Sequence, residues 1–115
     1  MAVEEYNTFH EPAQLGVFSL AIAQTDKAIP FESLAGVFIA GSVVNFYLGK
    51  RLVKSYIVGD GITITGTNLT ANLKTATLLI QGADFLTCIG DTLLARCTFF
   101  QAGDVDIEFN LKIFK

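Results

Sequence analysis

The chain has no tryptophan, one histidine, two prolines and two cysteines in 115 residues. Without tryptophan, a sugar-binding platform has to be built from tyrosine, and Tyr47 and Tyr56 are the only two beyond the first 15 residues. His10 has no second histidine or cysteine near it and reads as a solvated surface group, not a ligand or base. Cys88 and Cys97 are too few for a zinc site. Cys97 shares an alternating face with Leu93, Ala95 and Phe99, so a buried free thiol is the simpler account. Charge is also sparse, at 17% of residues, and nowhere forms the dense positive field that phosphate backbones select. Nucleic acid is therefore not an expected partner.

Long apolar runs are missing as well. The longest uncharged stretch, residues 33–49, is broken by Gly36, Gly41, Ser42 and Asn45. A membrane helix needs about 20 mostly apolar residues, so no membrane association is expected. The opening Met-Ala-Val-Glu-Glu has no basic region ahead of an apolar one. No secretory signal peptide is expected, and the sequon Asn68-Leu69-Thr70 is expected to stay unmodified. No serine sits in a nucleophile elbow and no glycine run has the phosphate-loop form. Gly59-Asp60-Gly61 lacks the further carboxylates of a calcium loop and reads as a turn. No catalytic, cofactor-binding or metal-ligating residue is assigned.

What the chain does have is alternation. From Val105 to Ile113 apolar side chains fall at 105, 107, 109, 111 and 113, with polar ones between them. In period two this is a strand with one buried and one wet face. Similar patterns cover Gly16 to Gln24 with Phe18, Leu20 and Ile22 inward, and Ser42 to Leu48 with Val44, Phe46 and Leu48 inward. Gly49-Lys50 then returns the chain as a hairpin from Arg51 to Val58, with Leu52, Lys54, Tyr56 and Val58 on one face. Further strands are expected at Ile62 to Thr65, Lys74 to Ile80 and Asp91 to Phe100. Ala28 to Phe31 is a short extended piece whose Pro30 belongs at a sheet edge. Glu32 to Gly41 is ambiguous, because Leu34, Val37 and Phe38 suit one helical turn. A helical turn over Gly82 to Ile89 should plug the core with Phe85 and Leu86. About eight short strands joined by tight turns imply an all-β domain, a single antiparallel β-sandwich (Ig-like or jelly-roll-like) or partly open barrel. Residues 1–15 form an irregular arm and 16–115 the β-sandwich domain.

Charge is uneven between these parts. Residues 1–32 carry five acids against Lys27, a net of −4, and residues 33–115 a net of +1. Lys50, Arg51 and Lys54 make a small basic hairpin that could face Glu4, Glu5 and Glu11 of a neighbouring chain. The arm adds Tyr6 and Phe9 as possible anchors, and Leu94, Phe100 and Phe114 fall on the second face of the last hairpin. These residues are the candidate interface. Asp104, Asp106 and Glu108 form an acidic stripe, read as a wet face whose like charges discourage unwanted pairing.

Taken together, the run from Val43 to Gly49, then Leu52-Val53-Lys54-Ser55, then Val58 to Ile64, resembles the small β-sandwich domains of bacteriophage and prophage tail and baseplate proteins. The resemblance continues through Thr75 to Ile80, Gly82-Ala83-Asp84, Gly90-Asp91 and Ala102-Gly103-Asp104, covering roughly residues 16–115. It implies a structural connector module of a virion tail, assembled as a homo-oligomer, a trimer before a dimer, and holding other structural proteins. No enzymatic residue and no cofactor comes with it. Outside that resemblance the chain would be cytoplasmic, and a carbohydrate-binding module or a small inhibitor or adaptor against a host protein would be the alternatives.

Overall fold

The computed structural model describes residues 12–33, 38–68 and 73–115. Among them are eight strands: β1 (Ala13–Ala21), β2 (Lys27–Ser33), β3 (Val43–Leu48), β4 (Arg51–Val58), β5 (Gly61–Asn68), β6 (Leu73–Ile80), β7 (Thr92–Thr98) and β8 (Ile107–Phe114). One short 3-10 segment, Gly82–Cys88, lies between β6 and β7. The all-β expectation holds. The strands form one sheet in the order β1-β8-β7-β3-β4-β5-β6-β2. That sheet curls nearly into a barrel, so that Phe31 of β2 reaches Phe109 of β8 with ring centroids 6.2 Å apart. No helix among the described residues is long and apolar enough to cross a membrane.

The inward faces follow the alternation. Leu20, Val44, Phe46, Ile62, Phe109, Leu111 and Ile113 are all buried, with Phe18, Ile22, Leu48 and Ile64 packed against them. Phe46 is the hub of the ring contacts, meeting Phe85 at 5.3 Å, Tyr56 at 5.7 Å and Phe109 at 5.8 Å, each near-perpendicular. Edge-to-face pairs of this kind add about 0.5–1.5 kcal/mol each beyond burial. Cys88 and Cys97 are both free and buried.

Pairing is not purely antiparallel, which corrects the expectation from the hairpin signals. β1 runs parallel to β8, from Ala13 beside Ile107 to Ala21 beside Phe114. The first strand also starts earlier than Gly16, because β8 offers it a partner: the Ala13 N–H donates to the Asp106 carbonyl at 2.9 Å. β4 and β5 are parallel over two residue pairs only. Parallel strands ordinarily need a crossover of a dozen residues or more, whereas Gly59 and Asp60 alone join these two. The chain therefore makes a tight coil instead of reversing, with Gly59 and Gly61 at φ +89° and +101°. Gly61 has a second reason to be glycine, since a Cβ there would lie 2.4 Å from the Tyr56 ring.

Two further expectations change. In β4 the register slips between Phe46 and Tyr47, so Tyr47 pairs with Leu52 while Phe46 pairs with Lys54. Val53 is the extra residue and packs on the core, which turns Leu52 outward, 51% exposed. In the 3-10 segment Phe85 is buried but Leu86 is exposed. Three residues per turn put Gly82, Phe85 and Cys88 on the inner side and rotate Leu86 away. Of the ambiguous stretch, residues 34–37 lie outside the described residues. Phe38 is buried, and Ser42 closes a turn by donating its N–H to the Ile39 carbonyl at 3.0 Å.

Candidate interaction face

Because β1, β8, β7, β3 and β4 are neighbours, their outward side chains align in rows across the sheet. One row runs Val17, Asn110, Leu94, Tyr47, Leu52. Val17 is 65% exposed, and Leu94 and Tyr47 are half-buried. This is an apolar stripe interrupted by one asparagine. The next row runs Gln14, Glu108, Arg96, Asn45, Ser55. Its members bond to each other: Gln14 Nε2 donates to Glu108 Oε1 at 2.8 Å and Arg96 Nε to Glu108 Oε2 at 3.0 Å. Ser55 Oγ donates to Asn45 Oδ1 at 2.5 Å. On the other side of the stripe lie Ser19, Lys112 and Thr92.

Several candidate residues fall where the reading of them changes. Tyr6 and Phe9 lie outside the described residues, as do Glu4, Glu5, His10 and Glu11. Leu94 is on the apolar stripe. Phe114 is on the same face two rows along, beside Ala21, and is 45% exposed. Phe100 is turned to the protein instead, with its ring 5.1 Å from Phe38 and 6.4 Å from Phe99. Lys50 and Arg51 are exposed at the hairpin. Lys54 leaves that group, because, while the β4 bulge turns Leu52 outward, it lies on the inner register with Tyr56, paired with Phe46. Its Nζ lies 3.9 Å from Asp84 Oδ1 and 5.4 Å from the Tyr56 ring centre.

The acidic stripe is not a set of repelling charges. Asp106 Oδ2 accepts the N–H groups of Phe99 and Phe100 at 2.7 and 3.0 Å, capping the turn out of β7. Glu108 is held by Gln14 and Arg96 as described. Neither role is visible in the local pattern, since each partner comes from another strand or turn.

Beneath β4 a polar group closes one end of the core. Tyr56 donates its hydroxyl to Asp84 Oδ2 at 2.7 Å and accepts the Gln81 N–H at 3.2 Å. Burial, then the bond to Asp84, push the Tyr56 phenol well above its ordinary value. Gln81 also brackets Asp26, donating to its carboxylate at 2.6 Å and accepting its N–H at 3.1 Å. Gly82 lies against the β1–β2 turn so closely that a Cβ would sit 2.4 Å from the Ala21 carbonyl oxygen. These bonds make the group a clasp between the turn, β4 and the 3-10 segment. Tyr56 on the inner side and Tyr47 on the outer row do not make a shared aromatic platform. Among the described residues there is no enclosed pocket and no cluster of metal-ligating side chains.

Two signals for this face were present in the sequence. Leu52-Val53 breaks strict alternation, as a bulge does, and Gly16 inside an apolar strand marks another. No protein-family model matches the chain, and no curated protein matches it.

Proposed function

We propose that the chain is a structural assembly module without catalytic activity, a homo-oligomeric connector in a virion tail or baseplate. The observation that supports this reading is the outer face of β1, β8, β7, β3 and β4. Val17, Leu94, Tyr47 and Leu52 form a stripe there, set beside a row of polar groups already bonded to each other. A contact made there buries the stripe and keeps the polar row satisfied, as the core and rim of a protein interface require. In this reading the curled sheet serves as a flattened β-sandwich, a rigid spacer whose partners are further copies and other structural proteins. Three copies is the number favoured by the resemblance to phage tail domains.

Size exclusion coupled to light scattering, at about ten micromolar, tests the reading directly. It is run on the full chain and on one begun at Pro12, which keeps all of β1. A particle of two or more copies is the expected result. A monomer would leave the adaptor reading in its place. An oligomer unchanged by removal of residues 1–11 would put the contact on the sheet and remove Tyr6 and Phe9 from it.

A further inference from the structure

Among the described residues β1 has one neighbouring strand, β8, and its other edge is unpaired. Ala13 and Ile22 donate their N–H groups to Asp106 and Phe114. By the period of two, Phe18 and Leu20 also turn their main-chain groups to β8, and those of Val17, Ser19 and Ala21 turn outward. The bulge between Gln14 and Val17 keeps Gln14 in the outward phase. The nine residues of β1 carry no charge and no proline. Open edges are ordinarily blunted by such residues, because a row of unpaired N–H and C=O groups is a template for another strand.

We propose that β1 pairs with β1 of a second copy of this chain, antiparallel about a two-fold axis at Val17. The opposite edge of the sheet is the first reason for that occupant. Head-to-tail pairing would need β2 of the neighbour, and β2 presents Lys27, Pro30 and Glu32. A β1–β1 contact uses one edge twice and closes at two copies.

Charge along the rows is the second reason. With the axis at Val17, Gln14 of one copy stands opposite Ser19 of the other. The row then runs Glu108, Gln14, Ser19, Lys112, with the acid from one copy and the base from the other. They are three strand spacings apart, roughly 14 Å. A parallel pairing would set Glu108 level with Glu108 and Lys112 level with Lys112. At this separation the charges orient the encounter more than they hold it. Pro12, which has no N–H, ends the ladder opposite Ala21.

The proposal rests on the assembly reading but not on a three-fold order, so the two can fail separately. Both native thiols are buried, which leaves an introduced one to report alone. In full-length Val17→Cys the two new thiols face each other across a hydrogen-bonded pair whose Cα atoms are about 5.5 Å apart, within disulfide reach. Mild oxidation should give a covalent dimer, while Ile57→Cys, also exposed, should not cross-link. By light scattering, Val17→Lys should weaken association by roughly a hundredfold or more, because it sets like charges face to face. A wild-type monomer at tens of micromolar would overturn both readings. A trimer would overturn β1 pairing and leave the assembly role standing. An oligomer that Val17→Lys leaves unchanged would take Val17 out of the assembly face and overturn β1 pairing as well. Cross-linking of Val17→Cys no faster than that of Ile57→Cys would also overturn it.

Discussion

β1 and β2 end the strand order at opposite sides, each with one flank unpaired among the described residues, yet they are built from different chemistry. β2 reads Lys-Ala-Ile-Pro-Phe-Glu-Ser, with a base, a proline and an acid in seven residues. β1 reads Ala-Gln-Leu-Gly-Val-Phe-Ser-Leu-Ala and has none of these. Both strands bury apolar side chains on the inner side, Leu20 from β1 and Ile29 and Phe31 from β2. The difference is therefore confined to what each strand offers a neighbour. Charges and proline make β2 a poor template, whereas β1 keeps its donors and acceptors available.

The largest effect should come from erasing that contrast. Replacing Pro30 by Val and Lys27 by Thr gives β2 a continuous, less charged edge. With β1 taken up by the β1–β1 contact, the two β2 edges of each dimer are the ones left open. Contacts of β2 with β2 would join dimer to dimer, so the double variant should form growing particles. Static light scattering followed over hours would show a rising mass, and a mass as steady as that of the parent would mean that β2 is not guarded by these residues.

Phe109 is where both ends of the sheet lean on one side chain, with Phe18 of β1 at 5.2 Å and Phe31 of β2 at 6.2 Å. Phe109→Ala should cost about 3–5 kcal/mol, the scale for deleting a buried large aromatic. Urea titration measures it. A loss under about 1 kcal/mol would mean that the two ends are held independently of this ring.

Alkaline pH should act on the parts between the edges. The Tyr56 phenol is raised above its ordinary value of 10.0 by burial and by Asp84. Burial, then the charges of Asp106 and Glu108, raise the Cys97 thiol above 9.0. The unfolded chain gives up these protons first, so the stability they contribute is whole below about pH 9 and declines as pH rises further. Thermal melts should move down above about pH 9, and Tyr56→Phe should weaken the portion that begins near pH 10. Identical alkaline profiles for parent and Tyr56→Phe would remove the phenol from the account.

The smallest effect concerns the polar row that ties β1 to the sheet. Glu108→Gln keeps the shape but loses the charge that Arg96 meets at 3.0 Å. Arg96 is largely exposed, so the pair is screened and the loss should be about 0.5–1 kcal/mol. Replacing Gln14 as well should add little more, since its bond to Glu108 is also exposed. A denaturant midpoint unchanged in Glu108→Gln would show that β1 is held by its backbone ladder and inner side chains alone.

The sequence by itself determined which residues extend and which side of each strand faces inward. Phe18 and Leu20, Val44 and Phe46, Ile62 and Ile64, and Phe109 and Leu111 could be assigned because alternation is a local property of neighbouring residues. Pro30 marked an edge for an equally local reason, its missing N–H. Tertiary structure alone decided which strands meet. The parallel union of β1 with β8, the coil that carries β4 into β5 and the curling of one sheet depend on partners far apart in the chain. The same holds for the side chains whose roles changed. Leu52 turned outward because a bulge at Val53 shifted its register, and Lys54 met Asp84 of the 3-10 segment. Asp106 and Glu108 found their donors on β7, β1 and the turn between β7 and β8. An inward or outward face is set by a residue's own strand. Its partner is set by the strand beside it, and only the folded sheet puts that strand there.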